Sequence, residues 1–174
     1  MGKIKLSIEE KIIVIVGLPA SGKSFLANEV LEQYEKRNYK MFRTDDYIKY
    51  GFEESLYKLM DDLRRDLSPR KIIEGVQGYR LLRKGLQLGT FNPDVVIVVA
   101  ASSEQRHERF KKRPDKKLNR GFDATLEKIW ADYLELLKHM QGADRDFTQV
   151  GDGREFVPPR FLIYNSEGGN NKNA

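Results

Sequence analysis

The chain of 174 residues contains no cysteine. That absence excludes disulfides and any thiolate metal site, and it fits a reducing compartment. It has only two histidines, His107 and His139, and neither has companions at metal-ligand spacing. Both are read as structural or exposed. No run of about 18 apolar residues occurs, so no membrane span is predicted. The opening stretch, MGKIKLSIEEK, carries charges where an export signal needs an apolar centre. It is read as a short polar lead-in, and a cytoplasmic protein is expected. No internal repeat or compositional break divides the chain, which predicts a single domain over 1–174.

Charge is what the chain has in quantity. A third of its residues are charged, 40% are hydrophobic, and the formal net charge is +5. Such a balance is that of a globular protein with a preference for polyanionic partners. ATP and nucleic acid both qualify, so charge alone does not separate them.

One stretch organises the rest. KIIVIVGLPASGKS, from Lys11 to Ser24, joins an apolar run to a glycine-rich turn. The turn follows the pattern G-x-x-x-x-G-K-S/T of a phosphate-binding loop. Its glycines let backbone N–H groups approach a phosphate closely. The helix expected after it aims its free N–H donors at the same place. Gly17, Leu18, Pro19, Ala20, Ser21, Gly22, Lys23 and Ser24 are therefore the candidate nucleotide-binding residues. Lys23 adds a positive charge near the outer phosphates, and the Ser24 hydroxyl is placed to ligate Mg²⁺.

Hydropathy then alternates between short apolar runs and helical stripes. Strands are expected at about 11–16, 39–43, 71–76, 94–100 and 160–165. The first helix is expected to run from the loop to about Arg37. Others follow near 52–67, 79–88, 103–113 and 123–140. Residues 94–100 are apolar on both faces, the mark of a parallel sheet covered by helices. The fold class is thus α/β: a parallel five-stranded sheet with helices on both faces. Ligands bind beyond the C-terminal ends of such strands. That rule should bring the phosphate loop, Asp45-Asp46 and Glu74 to one edge.

Phosphoryl transfer to a hydroxyl needs an acceptor for the departing proton, and Asp45 is the favoured base. Asp46 is the other candidate, and helix capping is the plain alternative for either. Glu74 ends an apolar strand, where a charge is out of pattern. It can hold Mg²⁺ or orient the acceptor, with Gly75 allowing close backbone approach. Reaching solvent is its bland alternative. Residues 103–120 carry eight basic and three acidic residues. Arg109 and Arg113 share a helix face and suit a transferring phosphoryl group, while Lys111, Lys112, Lys116 and Lys117 read as surface charge. Pro114 and Gly121 bracket a loop expected to close as a lid, about 103–121. Trp130 and Tyr133 read as packing. Asn165-Ser166-Glu167-Gly168 borders the adenine or forms a turn, and the tail, about 167–174, is expected to be disordered.

These residues resemble the P-loop kinases, over about 11–140 with a weaker echo at 161–168. Within that group the likeness is to the kinase domain of bacteriophage-type polynucleotide 5′-kinases. GLPASGKS, the TDDY element, IIEG and the arginine-rich lid recur there in the same order. The resemblance implies that Lys23 and Ser24 hold phosphate and Mg²⁺. It implies that Asp45 is the general base and that Arg109 and Arg113 are lid arginines. Glu74 stands where that family has an acceptor-side aspartate. The family's arginine after DDY is Ile48 here, and Lys49 is one residue off. The implied activity is an ATP-dependent kinase acting on a nucleic-acid end or nucleotide. The same chemistry on a nucleoside, sugar or other alcohol is the alternative. An ATP-binding module without transfer is the reading from another class. A guanine-type switch would want N-K-x-D after a strand, and only Asn171-Lys172-Asn173-Ala174 comes near.

Overall fold

The computed structural model describes residues 4–113, 119–142 and 156–166. Its strands are β1 (Ile12–Val16), β2 (Lys40–Arg43), β3 (Lys71–Glu74), β4 (Val95–Ala100) and β5 (Arg160–Asn165). They form one sheet in the order β2-β3-β1-β4-β5, and every pairing is parallel. The helices are α1 (Lys23–Gln33), α2 (Phe52–Arg65), α3 (Gly78–Leu88), α4 (Ser103–Lys111) and α5 (Arg120–Gly142). The five-stranded parallel α/β architecture is the one the alternation of patterns predicts.

Strand periodicity sorts the core into two layers. Ile13, Ile15, Ile72, Val95 and Ile97 face one way and meet Leu26, Ala27 and Val30 of α1. Val14, Val16, Ile73 and Val96 face the other way, against Leu59 of α2, Leu82 of α3 and Leu126 of α5. All of Ile13–Val16 is fully buried, as a central strand covered on both faces must be. Trp130 packs among Tyr79, Tyr133 and Phe161 with ring centroids 5.7–6.0 Å apart, which is a packing role. No helix among the described residues is long and apolar enough to cross a membrane.

Two expectations need correction. The first helix stops at Gln33 rather than Arg37, and a 3₁₀ turn occupies Glu35–Arg37. The chain must reverse there to enter β2. Asn38 completes the reversal in the left-handed region, φ 57°, which asparagine tolerates better than most residues. Nor is the N-terminal stretch a loose lead-in. Ile4 and Leu6 are buried against α1. The Tyr34 hydroxyl donates to the Ile4 carbonyl at 2.7 Å and accepts the Leu6 N–H at 2.9 Å. Gln33 and Arg37 donate to the Ile4 and Leu6 carbonyls. Two apolar residues among charges are too few to make a periodic signal, so the segment read as polar. The expected disordered tail lies outside the described residues.

Tyr34→Phe removes both hydroxyl bonds at once. It should destabilise the protein by about 1–3 kcal/mol. Denaturant titration would measure the loss, and faster amide exchange at Leu6 would place it at this clasp.

Candidate active site

The phosphate loop joins β1 to α1, and its backbone is shaped by close approach. A Cβ on Gly17 would fall 2.8 Å from the Val99 carbonyl and overlap the Ser21 hydroxyl. Gly22 takes φ 104° and stands as N-cap of α1 without a side-chain cap. The helix therefore begins with unclaimed N–H groups, the arrangement that attracts anions. Ala20 also lies in the left-handed region, at φ 64°. A non-glycine residue held there signals a loop over-determined by its surroundings.

Lys23 is only 8% exposed. Its Nζ donates to the Leu18 carbonyl at 3.0 Å. Burial pushes its ammonium down from an ordinary 10.5 to about 8. The nearby carboxylates of Glu74 and Asp45 resist that shift, while Arg106 and Arg113 add to it. A desolvated ammonium bonded to a neutral carbonyl is a charge suited to an incoming anion.

Glu74 sits at the end of β3 and is 5% exposed, so it does not reach solvent. Parallel register sets Arg43 of β2 beside it. Arg43 Nη1 donates to Glu74 Oε1 at 2.8 Å, and Arg43 Nη2 donates to Asn28. The Ser24 hydroxyl donates to the same Glu74 oxygen at 3.0 Å. Glu74 Oε2 is engaged by neither bond. Gly75 follows with φ 140°, and the Thr44 side chain lies where a Cβ would stand. The expected close approach at Gly75 is thus made by Thr44.

The TDDY element is a 3₁₀ turn, Thr44–Tyr50. It separates the two aspartates. Asp45 lines the main cleft, and Asp46 lines a neighbouring one with Lys49 and Tyr50. Neither caps α2, whose N-cap is Gly51. The Tyr47 hydroxyl donates to Asp62 at 2.7 Å and holds the turn against α2.

The main cleft encloses about 790 Å³. Pro19, Ala20, Gly22, Lys23, Ser24, Asp45, Glu74, Arg109 and Arg113 all line it. These nine come from the ends of three strands, from α4 and, for Arg113, from just beyond it, because α4 ends at Lys111 rather than at the expected residue 113. Gly17 is buried behind the loop, and Leu18 and Ser21 face a smaller cavity on that side. Arg109 donates to the Ala20 carbonyl at 2.8 Å and to Gln105 at 2.9 Å, with a longer contact to the Ser166 carbonyl. Ser166 lines the same cleft, and its hydroxyl donates to the Ser21 carbonyl at 2.6 Å. The segment expected to form a lid is flanked by α4 and the start of α5; residues 114–118 between them, with Lys116 and Lys117, lie outside the described residues. So do Glu167 and Gly168. Gly121 belongs to α5.

Arg43, Gln77 and Arg106 also belong to this neighbourhood and went unnamed in the sequence. Arg43 has its signal in strand register, which a single sequence does not expose. Arg106 precedes Arg109 by three residues and shares its face, a signal that was present.

Ser24 and Glu74 offer one hydroxyl and one carboxylate, hard oxygen donors already 3.0 Å apart. No cluster of three or more His, Asp or Glu able to hold a metal occurs among the described residues. A cation here would take its remaining ligands from phosphate and water, which is how Mg²⁺ is commonly held. The donor set fits that ion.

Lys23 makes stability depend on pH in a defined direction. Its folded pKa is depressed, so between about pH 8 and 10.5 the unfolded chain binds the extra proton. Ligand-free protein should therefore gain stability as pH rises through that window, by up to about 3 kcal/mol relative to Lys23→Met. Paired denaturant titrations at pH 7.5 and 10 would measure it, at about those two pH values.

No protein-family model matches the chain, and no curated protein matches it. Among solved structures, it is similar to the deoxyadenosine kinase from M. mycoides with bound dCTP. The identity is 15%, the TM-score 0.45, and the alignment covers 88% of this chain and 89% of that one. A likeness at that level carries nothing about chemistry, so function is read from the cleft's own residues.

Proposed function

We propose that the chain is an ATP-dependent phosphotransferase acting on a hydroxyl. The observation that carries this reading is Lys23: a buried ammonium on an uncapped helix N-terminus, facing a cleft that also holds Asp45. Lys23 and the first N–H groups of α1 bind the β- and γ-phosphates. Asp45 accepts the proton of the acceptor hydroxyl as its oxygen bonds to the γ-phosphorus and the bond to the β–γ bridging oxygen breaks. Arg109 and Arg113 balance the charge spread over the transferring oxygens. Ser24 and Glu74 would hold Mg²⁺, which when bound offsets phosphate charge.

The acceptor side favours a small hydroxyl compound over a nucleic-acid end. Among the described residues lining the cleft, the cations are Lys23 at the end of the phosphate loop, Arg109 on α4 and Arg113 just past it. The acceptor wall is instead Phe25, Ile48, Val76 and Gln77. Ile48, where polynucleotide kinases carry arginine, is 59% exposed. Lys49 does not substitute for it: it lies over the Tyr50 ring and lines the neighbouring cleft. Arg80 donates to Gln77 Oε1 at 3.2 Å. A guanidinium has only donors, so the amide oxygen must face it and the NH₂ group is left for the cleft. Such a wall suits a neutral acceptor with an apolar body and a hydrogen-bond acceptor. A nucleoside, a sugar or another alcohol would serve.

Labelled γ-phosphate transfer from ATP tests this on a panel of nucleosides, sugars, simple alcohols and 5′-hydroxyl oligonucleotides. Small acceptors should be labelled, with KM nearly flat between about 50 and 200 mM salt, whereas a polynucleotide's would rise steeply. Lys23→Ala should abolish transfer. Asp45→Asn should lower kcat by about 10²–10⁴-fold. Labelling of oligonucleotide ends alone would return the acceptor to nucleic acid. Tight ATP binding with no acceptor labelled would leave a binding module.

A further inference from the structure

Arg106 is charged, 5% exposed, and does not line the main cleft. Its Nε donates to the Pro19 carbonyl at 2.8 Å. Its Nη2 lies 2.9 Å and 2.8 Å from the two carboxylate oxygens of Asp123. Arg106 belongs to α4 and Asp123 to the first turn of α5, so the pair also ties together the two helices that flank the expected lid segment. Resting on the phosphotransferase reading, we propose that Arg106, held by Asp123, is a positioning residue that sets the conformation of the phosphate loop.

A trans peptide points its C=O and N–H in opposite directions within one plane. Fixing the Pro19 carbonyl on Arg106 therefore turns the Ala20 N–H away from α4. The next carbonyl, of Ala20, is taken by Arg109. Two consecutive carbonyls are thus drawn to α4, and the residue between their peptide planes is Ala20 at φ 64°. Left-handed backbone costs alanine free energy that glycine would not incur. The two arginine bonds offset that cost and keep the loop in the bend that brings Gly22 and Lys23 to the cleft. Ser21 N–H, bonded to the Leu18 carbonyl at 3.1 Å, closes the same bend from inside.

Asp123 makes the arrangement possible in electrostatic terms. A buried guanidinium needs a counter-charge. Arg106 also lies close enough to Lys23 to push its ammonium toward the neutral form. With Asp123 neutralised, that repulsion would grow and the guanidinium would lose its anchor. Lysine in place of Arg106 keeps the charge but cannot serve the carbonyl and the carboxylate together in the same fork.

Arg106→Lys and Asp123→Asn test the proposal on the full chain. Calorimetric titration with MgATP should show binding weakened about tenfold to a hundredfold in each, the range for hydrogen bonds to charged groups. KM for ATP should rise in parallel, with the acceptor KM changed less than about twofold. Adding Ala20→Gly to Arg106→Lys should recover at least about threefold in affinity by removing the left-handed cost. Without nucleotide, both single variants should exchange the Ser21 amide about tenfold faster. MgATP affinity within about twofold of the parent in the folded variants would overturn the proposal, whatever their melting temperatures. So would unchanged Ser21 exchange. If Asp123→Asn does not fold, Arg106→Lys decides; loss of folding in both marks a purely structural pair and also overturns it. If the parent itself binds no MgATP, the phosphotransferase reading fails, and Ser21 exchange alone then decides whether Arg106 sets the loop.

Discussion

Lys23 must be kept charged where water scarcely reaches. Desolvation drives an ammonium toward neutrality, and here the balance of effects leaves the group at about 8. Glu74 and Asp45 supply the opposing field, one from the end of β3 and one from the turn after β2. Neither is near Lys23 in sequence. Parallel strands deliver all three because each strand ends at the same edge of the sheet. The order β2-β3-β1 sets Asp45, Glu74 and the phosphate loop side by side. The electrostatics of the cleft is therefore a property of strand order, and no local segment contains it.

The same crowding governs the backbone. Gly17 has no room for a side chain beneath Val99, and Gly75 has none beneath Thr44. Gly22 and Ala20 take left-handed conformations within three residues of each other. Glycine is free to do so, but alanine is not, and the arginines of α4 hold the carbonyls on either side of it. A loop shaped this way has little conformational freedom left to lose on binding a phosphate. Its geometry is set in advance by groups that lie behind it.

Much of this was legible in the sequence. The apolar run before GLPASGKS and the stripe after it place β1, the loop and α1 without further help. Arg109 on α4 and Arg113 just past its end both line the cleft, although the helix is too short for the shared face the spacing suggests, and Asp45 and Glu74 come to the edge that strand-end logic assigns them. What escaped was set by tertiary partners. Arg43 looks like an ordinary strand-end charge until register puts it against Glu74. Ile4 and Leu6 look incidental until Tyr34 and Arg37 reach back to their backbone. The split of Asp45 from Asp46 depends on a 3₁₀ turn, whose threefold repeat sends neighbouring side chains to different clefts. None of these leaves a periodic trace, because each depends on a distant partner or on a short turn without a hydropathy pattern.

The Arg43–Glu74–Ser24 contact shows how the two halves of the cleft are kept in step. A buried carboxylate is tolerated at Glu74 because Arg43 is its strand neighbour, and its orientation follows from that pairing. The same oxygen receives Ser24 from the first turn of α1. The phosphate loop and the end of β2 therefore share one reference point, and Asp45 stands two residues beyond Arg43 in the chain. The acceptor wall of Phe25, Ile48, Val76 and Gln77 takes no part in that contact. On the proposed reading, its side chains can change the compound that fits without disturbing the charges assigned to phosphate. In the proposed function, specificity and chemistry are thus assigned to different residues of one cleft, so a family resemblance in the loop and the aspartate is compatible with a different acceptor.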